Sequence, residues 1–155
     1  MCYKVGPYYL NINSTDKGIS AITFIETPSH LSIPQNEIIH QCIEELEEYF
    51  NGQRNIFIVP IDIVKGTDFQ RLVWSSLLEV PYGEICSYKE IGSKINRPKA
   101  YQAIGQACKN NPVPILIPCH RVISQSGKLT GYFGTSSYGL SIKKELIALE
   151  KGNQQ

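Results

Sequence analysis

Cys119 and His120 stand side by side in the string ILIPCHRVI, between two apolar stretches. A thiol is a strong nucleophile only as its thiolate, and a nearby imidazole that takes its proton is the commonest activator. A Cys-His pair set in apolar surroundings therefore points to nucleophilic chemistry at sulfur. The pair alone also admits a plainer reading, a buried cysteine beside a surface histidine. The other cysteines, Cys2, Cys42, Cys86 and Cys108, show no C-x-x-C spacing, and the odd total of five argues against a disulfide framework. Reduced thiols are the simpler expectation. Cys2, His30, His40 and Cys42 match no compact zinc motif, so neither a metal nor another cofactor is expected.

Positioning such a pair takes a core, and the composition supplies one. With 155 residues, 42% hydrophobic and 10% aromatic, the chain can build one domain or two small ones. No apolar run approaches the roughly 18–20 residues of a membrane helix. The start, MCYKVGPYYLNI, has no basic segment followed by a long apolar stretch, so a cytoplasmic protein is expected.

The residues at 2–12 and 18–26 are rich in Tyr, Ile, Val, Thr and Phe and flank the polar stretch NSTDKG, which predicts a hairpin. Ile38, Ile39, Cys42, Ile43, Leu46, Tyr49 and Phe50 recur at helical spacing over 36–50, and Asn51-Gly52 stops that helix. FIVPIDIV, 57–64, reads as a further strand. Thr67-x-x-Gln70 and Ser87-x-x-Glu90 are capping boxes, opening helices that run to about Glu79 and Ile95. Pro98 predicts the start of a helix from about Lys99 to Lys109. Short helix, tight turn, helix is the helix-turn-helix pattern; two ordinary packed helices crossing closely through Ala and Gly fit these residues equally well. The prolines of 112–123 predict a buried, extended connection. A Gly/Ser/Tyr/Phe loop is expected at 131–139, then an amphipathic helix from Leu140 to Glu150 with Ile142, Leu146 and Leu149 on one side.

Charge divides the chain. Residues 1–65 carry four Lys or Arg against eight Asp or Glu, whereas residues from 66 onward carry eleven against six. The basic second part suits either a polyanionic partner or a merely solvated basic face.

NPVPILIPCHRVI, followed by GKLTGY and GLSIKKELIALEKG, resembles the active-site region of the O6-alkylguanine-DNA alkyltransferases, the methylated-DNA-protein-cysteine methyltransferase family. VPYGEICSYKEIG (80–92) is similar to that family's first helix-turn-helix segment and PKAYQAIGQACKNNP (98–112) to its recognition helix. The likeness is close over about 68–152 and loose over 1–65. It implies an N-terminal α/β, ribonuclease-H-like domain over 1–65 and a mostly α C-terminal domain over 66–155, with a winged helix-turn-helix that binds the DNA minor groove.

The resemblance further implies that an O6-alkylguanine is flipped out of double-stranded DNA and that its alkyl group moves, once per molecule, to Cys119. Flipping is needed because O6 is out of reach in the stack, and a damaged pair costs less to open. By position, His120 is the base acting through a water, Glu150 orients His120, and Asn111 ties the helix-turn-helix to the active-site segment. Tyr88 donates to the base, Val122 presents a carbonyl to the exocyclic amine, Tyr132 lines the pocket, and the Phe133 amide faces O6. Arg97, Lys99, Gln102 and Ala103 fall on the DNA-binding side. For Arg121, a structural role and a phosphate contact stand equal.

Two departures accompany the likeness. Gln102 occupies the position where the family has an intercalating arginine, and it lacks the cation and the guanidinium plane. Gly134 to Tyr138 reads as a longer loop beside the pocket. A non-catalytic relative that binds alkyl lesions and recruits other factors is the alternative function; such relatives lack the acceptor cysteine, which is present here as Cys119. No membrane is involved, and a monomer is expected.

Overall fold

The computed structural model describes residues 1–127 and 137–152 and divides the chain into two compact units, Met1–Lys65 and Gly66–Gln155.

The first unit carries a three-stranded antiparallel sheet in the order β1 (Cys2–Val5), β2 (Tyr8–Ser14), β3 (Ile19–Phe24) and one helix, α1 (Glu37–Phe50). The run at 2–12, expected as one strand, is itself a hairpin. Val5 pairs with Tyr8 across Gly6-Pro7, and Gly6 has φ +56°, which a two-residue turn accepts from glycine at little cost. Asn36 caps α1 by accepting the Ile39 amide at 2.8 Å. Tyr3, Val5, Leu10, Ile12, Ile22, Cys42, Leu46 and Tyr49 form the core, each buried apolar side chain adding about 1.5–3 kcal/mol.

The stretch 57–64 is not the strand that its β-branched residues suggest. It touches β3 at a single bridge, Ile19 to Ile61, because Pro60 has no amide to continue a ladder. The Ile58 and Val59 amides go instead to the carboxylate of buried Glu45, at 2.9 and 3.1 Å.

The second unit holds α2 (Asp68–Leu77), α3 (Tyr88–Lys94), α4 (Tyr101–Lys109), α5 (Ser137–Gly152) and a two-stranded parallel ladder of β4 (Cys86–Ser87) and β5 (Val122–Ile123). Thr67 and Gln70 close the expected capping box on α2, and Ser87 accepts the Glu90 amide at 3.0 Å. The α3–α4 turn is tight: a Cβ on Gly92 would meet the Arg97 carbonyl at 2.8 Å, so only glycine fits there. Trp74 ties α2 to α4, donating its indole N–H to the Ala107 carbonyl at 2.8 Å.

Three expectations in this unit need correction. Helix α4 starts at Tyr101, because Pro98 sits in a turn closed by the Ala100 amide on the Arg97 carbonyl rather than in the first helical turn. Helix α5 starts at Ser137, so residues 137–139 of the expected loop are helical; Gly134, Tyr132 and Phe133 lie outside the described residues. The connection 112–123 is buried as expected but not extended. It bends at Ile115, with φ +76°, and winds into a 3-10 turn at Cys119–Arg121.

Candidate active site

A β-branched residue in the left-handed region costs about 1–3 kcal/mol and persists only where its surroundings impose it. Around Ile115 that restraint comes from Asn111. Its Oδ1 accepts the Val113 amide at 3.0 Å, and its Nδ2 donates to the Ile117 carbonyl at 2.8 Å. The same Nδ2 lies 3.1 Å from the Cys119 sulfur. One side chain at the end of α4 thus shapes the bent segment and holds the thiol at its far end. A donor on sulfur favours the charged form, so the contact assists formation of the thiolate.

The 3-10 turn places His120 and Arg121 on Glu150 of α5. The His120 Nε2 is 2.6 Å from Glu150 Oε2, while Arg121 grips the same carboxylate through Nε at 2.8 Å and Nη2 at 3.0 Å. Arg121 also donates to the Val80 carbonyl at 2.7 Å, and the Gly83 amide donates to Glu150 Oε1 at 3.1 Å. All three side chains are buried. The two-pronged guanidinium already balances the carboxylate charge. Burial then dominates at His120 and pushes its pKa below the ordinary 6.5, with the Glu150 hydrogen bond opposing. The resting imidazole is neutral. An ionised Glu150 can only accept, so Nε2 carries the proton and Nδ1 is left as the basic nitrogen. The equal choice over Arg121 is decided by these bonds: it is structural.

Lys143 was not singled out from the sequence. It is 1% exposed, and its Nζ lies 6.0 Å from the centre of the Tyr88 ring. Burial lowers its pKa, while the thiols of Cys119 and Cys108 act in the opposite direction. Its signal was available in the helical stripe, since the buried face of α5 is Gly139, Ile142, Lys143, Leu146 and Glu150, with Leu149 only half-buried. A lysine in line with that stripe is an inward-facing charge.

The sequence profile of the 6-O-methylguanine DNA methyltransferase DNA-binding domain matches residues 68–152, and that of the ribonuclease-like domain of the same family matches residues 5–63. A methylated-DNA–protein-cysteine methyltransferase of Methanosarcina barkeri is 42% identical over 96% of this chain and 93% of its own. The chain belongs to the 6-O-methylguanine DNA methyltransferase family. Within that family, the inducible protein of Bacillus subtilis is 42% identical over 80% of this chain and 66% of its own. Mycobacterium tuberculosis OGT, crystallised in complex with DNA, is 37% identical with a TM-score of 0.85, over 98% of this chain and 92% of that one.

For this methyltransferase-family chain, the residues singled out from sequence fall into two places. Cys119, Asn111, His120 and Glu150 are brought together as described, and Val122 opens β5, buried and paired with Cys86. Half-buried Tyr88 starts α3. Arg97, Lys99, Gln102 and Ala103 are all exposed. Gln102 and Ala103 line a recess of about 550 Å³ that Tyr88, Gly105, Gln106 and Lys109 complete.

Thiolate and ammonium each favour the other's charged form, which makes Lys143 testable. Lys143→Met, which keeps length without charge, is expected to slow iodoacetamide modification of Cys119 at neutral pH about tenfold, because less of the thiol is then ionised. An unchanged rate, measured by mass spectrometry of the Cys119 peptide, contradicts that coupling.

Proposed function

We propose that the protein repairs duplex DNA by moving the alkyl group of an O6-alkylguanine onto Cys119. The observation that carries this reading is the buried Glu150 shared by His120 and Arg121, with His120 next in the chain to a thiol held by Asn111, all inside the family's DNA-binding domain.

The reaction follows from those groups. Neutral His120 takes the thiol proton at Nδ1 through a water, and the imidazolium is stabilised by Glu150. The Cys119 thiolate attacks the alkyl carbon, the bond from that carbon to O6 breaks, and the electron pair leaves with guanine. Tyr88 donates a hydrogen bond that eases the charge on the departing base, and the carbonyl of Val122 accepts from the exocyclic amine. The product is a thioether that no neighbouring group is poised to cleave, so each molecule reacts once. Tyr132 and Phe133 retain, as proposals, the pocket wall and the amide facing O6.

DNA approaches the face bearing Arg97, Lys99, Gln102 and Ala103. No helix among the described residues is long and apolar enough to cross a membrane. We place the protein in the cytoplasm, working as a monomer. The test is a duplex carrying O6-methylguanine with a labelled methyl group. Label moves to protein in a 1:1 limit if the reading holds; label that stays on DNA, with the duplex bound, supports the non-catalytic alternative.

A further inference from the structure

Tyr101 opens α4 and is 57% exposed, beside Gln102 and Ala103, which are exposed too. The rest of that helix is conventionally amphipathic, burying Ile104, Ala107 and Cys108. A large aromatic ring left in water at the start of this helix forgoes burial that a core position would supply. The ring also forms one wall of a recess of about 400 Å³ whose other walls are Tyr88, Lys89, Pro98, Ser124 and Gln125. Tyr88 therefore stands between two recesses, this one and the recess lined by Gln102 and Ala103.

The chemistry of the lining selects an occupant. Two flat rings, one lysine cation and the polar side chains of Ser124 and Gln125 match a nucleotide, with its flat base, sugar and phosphate. The first turn of α4 carries no carboxylate to repel a phosphate, and the second part of the chain is basic. When a nucleotide is rotated out of a duplex, the base next to it loses a stacking partner on one face. An exposed ring one residue from Gln102 is placed to cover that face, whereas Gln102 offers only an amide.

We propose that Tyr101 is a DNA-stacking residue, its ring covering the base that flanks the extruded nucleotide. This rests on the functional reading above. It makes Gln102 a hydrogen-bonding neighbour of the stacking group and assigns the flat surface that holds the gap open to Tyr101.

Single-turnover transfer to the full-length protein tests it, using a duplex containing O6-methylguanine and, in parallel, the free O6-methylguanine base. Tyr101→Ala is expected to slow the duplex reaction about tenfold and to leave the free-base rate within about twofold, since a free base has no stack to open. Tyr101→Phe is expected to react like the wild type on both, because the ring and not the hydroxyl does the stacking. Equal slowing of both substrates by Tyr101→Ala, or of neither, overturns the assignment. So does a Tyr101→Phe variant as slow on duplex as Tyr101→Ala, which would assign the hydroxyl to a phosphate instead. Failure of the functional reading looks different, because wild-type protein would then take up label from neither substrate.

Discussion

Cys119→Ser is expected to abolish alkyl transfer, a loss of at least about 10³-fold, while changing duplex affinity by less than about twofold. The substitution exchanges sulfur for a smaller and far less acidic oxygen at a residue that is 3% exposed. A hydroxyl does not ionise under conditions where a thiol does, and neutral His120 is too weak a base to force it. The Asn111 clamp on Val113 and Ile117 does not involve the sulfur, so the bent segment survives. The exposed side chains proposed to meet DNA, Arg97, Lys99, Gln102 and Ala103, are untouched. Gel-shift affinity and transferred label, measured on one preparation, separate the two effects. Transfer at the wild-type rate would move the acceptor to another cysteine. Cys42 and Cys86, whose thiols burial raises to about 12 and about 11, are poor candidates for it.

Glu150→Ala is expected to remove transfer and about 3–5 kcal/mol of stability together. Deleting the carboxylate strands a buried guanidinium, and breaking a buried charge pair from one side costs about that much. For a unit of this size it lowers Tm by more than about 10 °C. Glu150→Gln keeps a carbonyl for Arg121 and most of the packing, so its loss of stability should be smaller while transfer still falls, since a neutral amide does not stabilise the imidazolium. A melting curve and a single-turnover rate for both variants decide this. Glu150→Ala melting with the wild type would show that the array contributes no net stability.

The array also sets the direction of acid sensitivity. His120 has a pKa held below its ordinary 6.5 by burial, so the folded chain keeps it neutral while the unfolded chain takes up a proton as pH falls through 6.5. The unfolded state then binds more protons, and stability declines with acidification below that point. Above it the stabilisation is fully present. Urea midpoints between pH 7.5 and 5.5 should fall, and replacing His120 with Asn should flatten that fall.

How much of this was legible from sequence depends on the range of the interaction. Thr67-x-x-Gln70 and Ser87-x-x-Glu90 act within one helical turn, and both reappear as caps. The Cys-His pair and the two short helices on either side of Pro98 were legible for the same reason, closeness in the chain, whereas the residues alone left a helix-turn-helix and two ordinary packed helices equal. The buried carboxylate joins residues 29 and 30 apart, through Arg121 and His120. Local pattern says nothing about which charge meets which over that span, and Arg121 stayed undecided on that account. FIVPIDIV failed as a strand because Glu45, a residue on a helix, takes the Ile58 and Val59 amides. Lys143 hid behind an adjacent lysine, where Lys143 and Lys144 look alike until the stripe through Ile142, Leu146 and Glu150 is traced.

The central claim is that Cys119 becomes the alkylated residue. Wild-type protein is incubated with excess duplex containing O6-methylguanine, digested, and its cysteine peptides are weighed. One added methyl group on the Cys119 peptide, with Cys2, Cys42, Cys86 and Cys108 unmodified, is the predicted result. A methyl group on any of those four, or none on protein while the lesion disappears from the DNA, would contradict the account.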